Sequence, residues 1–149
     1  MSNESKPKIV LIDDDKYWAK SAIRELSKIF EVVYLETAKK AMSYLDDRYD
    51  IDGVVLDVMM DAPDEMEGET EEGQLTGVSV LRKIAPFVEV TNIPVIVFTN
   101  HHDIERIVDL VAAIASIKPH VTVEKKHELS RKELPPVLMA RIRAVKGLR

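Results

Sequence analysis

The chain has 149 residues, 46% of them hydrophobic, no cysteine and a formal net charge of −5. A chain of that length buries one sizeable core and fits one domain, the missing thiols exclude disulfide staples and thiolate metal sites, and no apolar run approaches the roughly 18 residues of a membrane span. Seven acids and no bases fall between positions 61 and 76, so the remainder carries +2 and the acidity belongs to one segment.

Residues 1–7 are polar with no apolar stretch of a signal peptide behind them, which reads as a flexible N-terminus and a cytoplasmic location. Ile9-Val10-Leu11-Ile12 is an apolar strand that runs into Asp13-Asp14-Asp15. Asp15 caps a helix whose apolar positions are Ala19, Ala22, Leu26 and Ile29, with Trp18 and Ile23 beside them. Val32 to Leu35 form a second strand. Thr37 caps the next helix, with Ala38, Ala41, Met42 and Leu45 at i, i+3, i+4 and i+7 and Asp46-Asp47-Arg48 at its exposed end. Gly53-Val54-Val55-Leu56 delivers Asp57.

The acidic segment 61–76 is too polar and too uniformly charged to pack, and is expected to be a mobile loop insertion. Val78, Leu81 and Ile84 restart a helical period that Pro86 is expected to end. Val95-Ile96-Val97-Phe98 delivers Thr99. Asp103 precedes a helix carrying Ile104, Ile107, Val108, Val111 and Ala115 and running to Lys118. Val121-Thr122-Val123 leads to Lys125 and Lys126. Pro135-Pro136 fit the first turn of a last helix with Leu138, Ile142 and Val145 as its buried stripe and Gly147 as its stop.

Five strands alternating with five helices specify a doubly wound α/β domain with helices on both faces of a parallel sheet. Strands that are apolar at nearly every position are what a sheet covered on both faces demands, and open sheets of this kind place their sites outside the carboxyl ends of the strands. Carboxylates, a hydroxyl and an amine are therefore expected to converge there. The histidines His101, His102, His120 and His127 show no metal-ligand spacing on one helix and read as surface residues. The acidic segment lacks the spacing of a calcium loop.

Asp13-Asp14, Asp57, Thr99 and Lys125, each at a strand end and in that chain order, resemble the receiver domain of two-component response regulators over nearly the whole chain. The resemblance implies a flavodoxin-like sheet of order 2-1-3-4-5 in a single receiver domain, residues 1–149, without an output domain. It implies that Asp57 is the phosphoacceptor, that Thr99 hydrogen-bonds the phosphoryl group and that the Lys125 ammonium faces it. It also implies Mg²⁺ held by Asp14, Asp57 and the Met59 carbonyl, with Asp13 acting largely through a water. The implied partners are a histidine kinase or histidine phosphotransfer protein and an unknown downstream protein, with no direct contact to nucleic acid or membrane. Such a protein catalyses its own phosphorylation and dephosphorylation and turns over no external metabolite.

The chain departs from the pattern at Lys126, where proline usually follows the lysine, at Thr122, where an aromatic usually stands, and at Asn100, beside the site. These motivate an alternative reading as an interaction module on the same fold that is never phosphorylated. A third reading is a Mg²⁺-dependent phosphohydrolase using Asp57 as nucleophile.

Overall fold

The computed structural model describes residues 6–46, 48, 50–61, 68, 73–114 and 121–147. Strands β1 (Lys8–Ile12), β2 (Glu31–Leu35), β3 (Gly53–Asp57), β4 (Val95–Thr99) and β5 (Val121–Lys125) alternate with helices α1 (Lys16–Leu26), α2 (Ala38–Leu45), α3 (Thr76–Thr91), α4 (Ile104–Ala112) and α5 (Leu134–Gly147). The strands form one parallel sheet in the order β2-β1-β3-β4-β5, so the doubly wound α/β fold read from the alternation is the fold observed. Every residue of β3 and β4 is buried, whereas every residue of the edge strand β5 is partly exposed. That gradient follows from position, because an inner parallel strand has helices on both faces and strands on both sides.

Two apolar layers sandwich the sheet. On one face Ile9, Leu11, Val55, Ile96 and Phe98 pack with Ala19, Ala22 and Leu26 of α1 and Leu134, Leu138 and Ile142 of α5. On the other, Val10, Ile12, Val54, Leu56, Val95 and Val97 pack with α2, α3 and α4. The predicted caps form: Asp15 accepts from the amides of Tyr17 and Trp18, and Thr37 accepts from that of Lys40. Pro135 and Pro136 occupy the first turn of α5 as expected.

Three expectations are corrected. Helix α3 does not end at Pro86 but runs on to Thr91, stopped by Asn92 in a left-handed conformation (φ 56°) whose amide donates to the Val88 carbonyl. An interior proline costs roughly 3 kcal/mol, and the buried stripe Leu81, Ile84, Ala85 and Val88 that continues across it offsets that cost. Helix α4 is nine residues long and ends at Ala112, well short of Lys118, because the Ile114 amide bonds three residues back to Val111 and tightens the last turn; Ala115 and Lys118 lie outside the described residues. Lys6 and Pro7, read as part of a flexible lead, are tied down: the Lys6 amine donates to the Ser27 carbonyl at 2.9 Å and the Pro7 carbonyl accepts from Glu31. Among the described residues no helix is long and apolar enough to cross a membrane. Most of the acidic segment, including 62–67 and 69–72, lies outside the described residues, and with it the expectation of a mobile loop.

Candidate functional site

Strand parity decides which side chains meet at the carboxyl end of the sheet. Successive residues of a strand point to opposite faces. Leu11, Val55 and Phe98 belong to the layer under α1 and α5, so Asp13 and Asp57, each two residues further along their strands' paths, share that face. On β5, Val121 and Val123 pack into the opposite layer and carry Lys125 with them. Glu124 is of the other parity and meets Arg141 of α5 at 3.4 Å, which leaves Lys126 to follow on the side of Asp57.

The structure bears out this parity and overturns the assignment of Lys125. Lys126 Nζ lies 2.8 Å from Asp13 Oδ2 and 3.5 Å from Asp57 Oδ1, with its side chain only 7% exposed. Its ammonium sits 4.7 Å from the centre of the Trp18 ring, and its amide donates to the Thr99 carbonyl. Lys125 instead faces outward, 35% exposed and 3.6 Å from Glu128. The pairing of Val121, Val123 and Lys125 on one face was read correctly; that face is the one away from the carboxylates. Counted from Lys126, the following residue is His127 and the residue three earlier is Val123, so the departures from the resembled pattern shift by one position.

One carboxylate oxygen from each of Asp13, Asp14 and Asp57 lies within 4.8 Å of the others. Asp13 and Asp57 are almost wholly buried. Asp13 is oriented from three sides: its Oδ1 accepts from the Asp15 amide at 2.8 Å, its carbonyl accepts from the Tyr34 hydroxyl at 2.7 Å, and its amide donates to Leu35. Burial pushes the Tyr34 hydroxyl up to about 12, with Asp13 adding to it. Asp14 Oδ2 accepts from the Asp61 amide at 3.2 Å.

Burial, then the Asp13 charge, push the Asp57 carboxyl up to about 8 against the pull of Lys126 and of the Met59 amide. Burial also raises Asp14, with the Asp61 hydrogen bond opposing. Three carboxyl groups crowd one ammonium, and holding a proton on Asp57 relieves part of the excess negative charge. An all-oxygen donor set, three carboxyl groups within 4.8 Å of one another, fits a hard divalent cation such as Mg²⁺, which takes oxygen ligands and typically only one or two carboxylates.

Thr99 ends β4 fully buried, and its Oγ1 accepts from the His101 amide at 2.8 Å. That turn folds the His101 ring inward, so His101 is buried rather than a surface residue. Its Nδ1 accepts from the Asp103 amide at 3.0 Å, its ring stacks on His102 at 4.6 Å, and its Nε2 has no hydrogen-bond partner among the described residues. Asp103 in turn caps α4 through the Arg106 amide. His102 and His127 are exposed and His120 lies outside the described residues. Asn100 is exposed beside the site.

The backbone carrying Asp57 is held by α3. The Gly77 amide donates to Val58 at 2.8 Å, and a Cβ on Gly77 would overlap the Asp57 carbonyl and the Val58 Cα. The acidic segment is pinched at its base: Met60 donates its amide to Gly73, and the buried Thr76 hydroxyl donates to the Met60 carbonyl. Gly73 needs its positive φ of 89°, and a Cβ there would press on the Met60 carbonyl at 2.8 Å. The sequence reading preferred Lys125 to Lys126, placed His101 on the surface and gave Gly77 no role. Parity along β5 separates Lys125 from Lys126, but which of the two faces Asp57 depends on the layer that Val121 and Val123 enter; nothing in composition marks Gly77.

No protein-family model and no curated protein matches the chain. Solved structures do. A CheY-like response regulator receiver domain protein from Methanospirillum hungatei JF-1 superposes with a TM-score of 0.74 at 15% identity, over 97% of this chain and 100% of that one. The receiver domain of the Francisella response regulator 1452 gives 0.67 at 20% identity, over 93% and 98%. A response regulator from Thermotoga maritima gives 0.65 at 18%, over 93% and 99%. The chain therefore has the receiver fold, at identities where fold is all that similarity conveys.

Proposed function

We propose that this chain is the phosphoacceptor receiver of a two-component relay, with Asp57 the acceptor. The observation that carries the reading is the cluster of Asp13, Asp14 and Asp57, the first and last buried, joined by the Lys126 ammonium at the carboxyl end of the sheet. In the step proposed, an Asp57 carboxylate oxygen attacks the phosphorus of a phosphohistidine in line. A P–O bond forms as the P–N bond breaks, and the electron pair leaves with the imidazole nitrogen of a histidine kinase or phosphotransfer protein.

Asp13, Asp14, Asp57 and the Met59 carbonyl would hold Mg²⁺, which supplies charge neutralisation for the phosphoryl oxygens and for the crowded carboxylates. Lys126 stands where it neutralises a phosphoryl oxygen, taking the role first given to Lys125. The Thr99 hydroxyl has its oxygen on the His101 amide and its proton free to donate to a phosphoryl oxygen. Reorganising that turn would bias α4 and thereby the surface shown to a downstream protein. The chemistry is the protein's own modification, not turnover of a metabolite, in a cytoplasmic setting.

The test is incubation with Mg²⁺ and a small phosphodonor followed by intact mass. One added phosphoryl group in the wild type and none in Asp57→Asn is expected; no addition to either favours an interaction module that is never phosphorylated. That second reading draws on one observation: without a cation, Asp57 is held largely protonated at neutral pH.

A further inference from the structure

A cleft of about 650 Å³ lies between α1 and the connection from β5 to α5, lined by Lys126 but by none of the three carboxylates. Trp18 and Arg24 of α1 form one wall, Arg131, Lys132 and Ser130 the other, and Lys126 stands at the inner end. The volume is that of a small-molecule site, for which roughly 300–1,000 Å³ is usual.

Its charge is uncompensated. Lys126 is committed to Asp13 and Asp57. The carboxylate that also lines the cleft, Glu25, is held by Lys28 at 2.8 Å and feels Arg24 and Lys132 only at longer range. Among the described residues Arg24, Arg131 and Lys132 make no ion pair within 4.0 Å. Arg24, Arg131 and Lys132, exposed residues that line the one cleft, supply two guanidinium groups and an ammonium, which suit phosphate, whose oxygens accept bidentate bonds from arginine. A concave surface on which cations outnumber the one carboxylate also concentrates anions more than the same charges on a flat surface. The Ser130 hydroxyl adds a neutral donor, and the Trp18 indole offers an apolar edge.

The geometry points to a binding site for a small phosphate-bearing anion in this cleft, separate from the carboxylate cluster and independent of whether Asp57 is phosphorylated. Among the described residues Lys126 is the charged group common to both places, and Asn100, beside the carboxylates, also lines the cleft.

Trp18 is the single tryptophan, so its fluorescence reports occupancy directly. Pyrophosphate and ADP, titrated in the presence of EDTA, are expected to change the emission saturably, with a sub-millimolar midpoint that weakens as salt rises. The Arg131→Gln/Lys132→Gln variant, with its thermal unfolding unchanged, should bind on the order of tenfold more weakly, a loss of about 1.4 kcal/mol. Asp57→Asn should bind as the wild type does. Tighter binding of ADP than of pyrophosphate would assign a nucleotide whose base lies along Trp18; equal binding would assign the phosphate alone. If the double variant melts early, Arg24→Gln from the opposite wall takes its place with the same expectation. The proposal is overturned if neither anion saturates in the millimolar range, or if removing the charges leaves binding unchanged. It is also overturned if binding vanishes in Asp57→Asn but not in the double variant, or if only an acidic or phosphorylated protein, and neither small anion, elicits the response.

Discussion

Asp57 shares its buried corner with two other carboxylates and one ammonium, and its protonation follows from that count. Its folded value, pushed up to about 8 from an ordinary 3.8, means that the native state binds a proton the unfolded chain has already released. The stability this group lends is therefore fully present below about 3.8 and is lost as pH rises toward 8. In metal-free buffer Asp57→Asn should be more stable than the wild type at neutral and alkaline pH, with the difference growing up to about pH 8. Urea unfolding of both across pH checks it, and parallel profiles would show that Asp57 is ionised without cost. Lys126 is the counterpart: removing one partner of a buried ion pair costs about 3–5 kcal/mol. Lys126→Met should lose stability on that scale above pH 8, whereas Lys125→Met, at an exposed pair worth roughly 0–1 kcal/mol, should unfold much as the wild type does. Equal losses from the two would contradict the buried pairing.

Helix α3 and the strand β3 are locked together at one glycine. Because a Cβ at Gly77 would overlap the Asp57 carbonyl and Val58 Cα, Gly77→Ala forces backbone apart, and overpacking costs typically 1–3 kcal/mol. The displaced atoms belong to Asp57 itself, so the same substitution should lower phosphorylation in the mass assay even where the protein stays folded. Full phosphorylation at wild-type rate would show that the strand end tolerates the shift. Met60 and Gly73, at the two ends of the acidic segment, are bonded to each other. Deleting Asp64 through Glu72 leaves Asp61, Ala62 and Pro63 to join them, a hairpin-loop length found widely. The thermal midpoint should stay within a few degrees, about what a ΔΔG of 1 kcal/mol produces. A much larger fall would mean that the segment contributes to the core.

At the scale of the molecule the two apolar layers form a rigid frame whose carboxyl edge concentrates unlike and like charges together. A ligand that binds only the folded state raises stability by RT ln(1 + [L]/Kd). Mg²⁺ should therefore raise the thermal midpoint at pH 8 and change Trp18 emission, because Trp18 packs on Phe98 at 5.5 Å and over Lys126. Asp14→Ala, which removes the least buried of the three carboxylates, should respond to neither readout at the same concentrations. An unchanged response in that variant would place the cation elsewhere.

By itself the sequence determined the alternation of five strands and five helices, most of the core positions and the strand ends at which Asp13, Asp14, Asp57 and Thr99 stand. Those are local properties: period, apolar runs and capping residues act within a few positions of one another. The course of α3 through Pro86 was not legible, because a proline's local cost is overridden by burial against elements far away in the chain. Nor was the inward turn of His101, which depends on a single hydrogen bond to Thr99. The choice between Lys125 and Lys126 lay between these limits. Parity along β5 could be counted from the sequence, but which face looks toward Asp57 depends on which layer Val121 and Val123 enter, and only the packing of the sheet between its two sets of helices decided that.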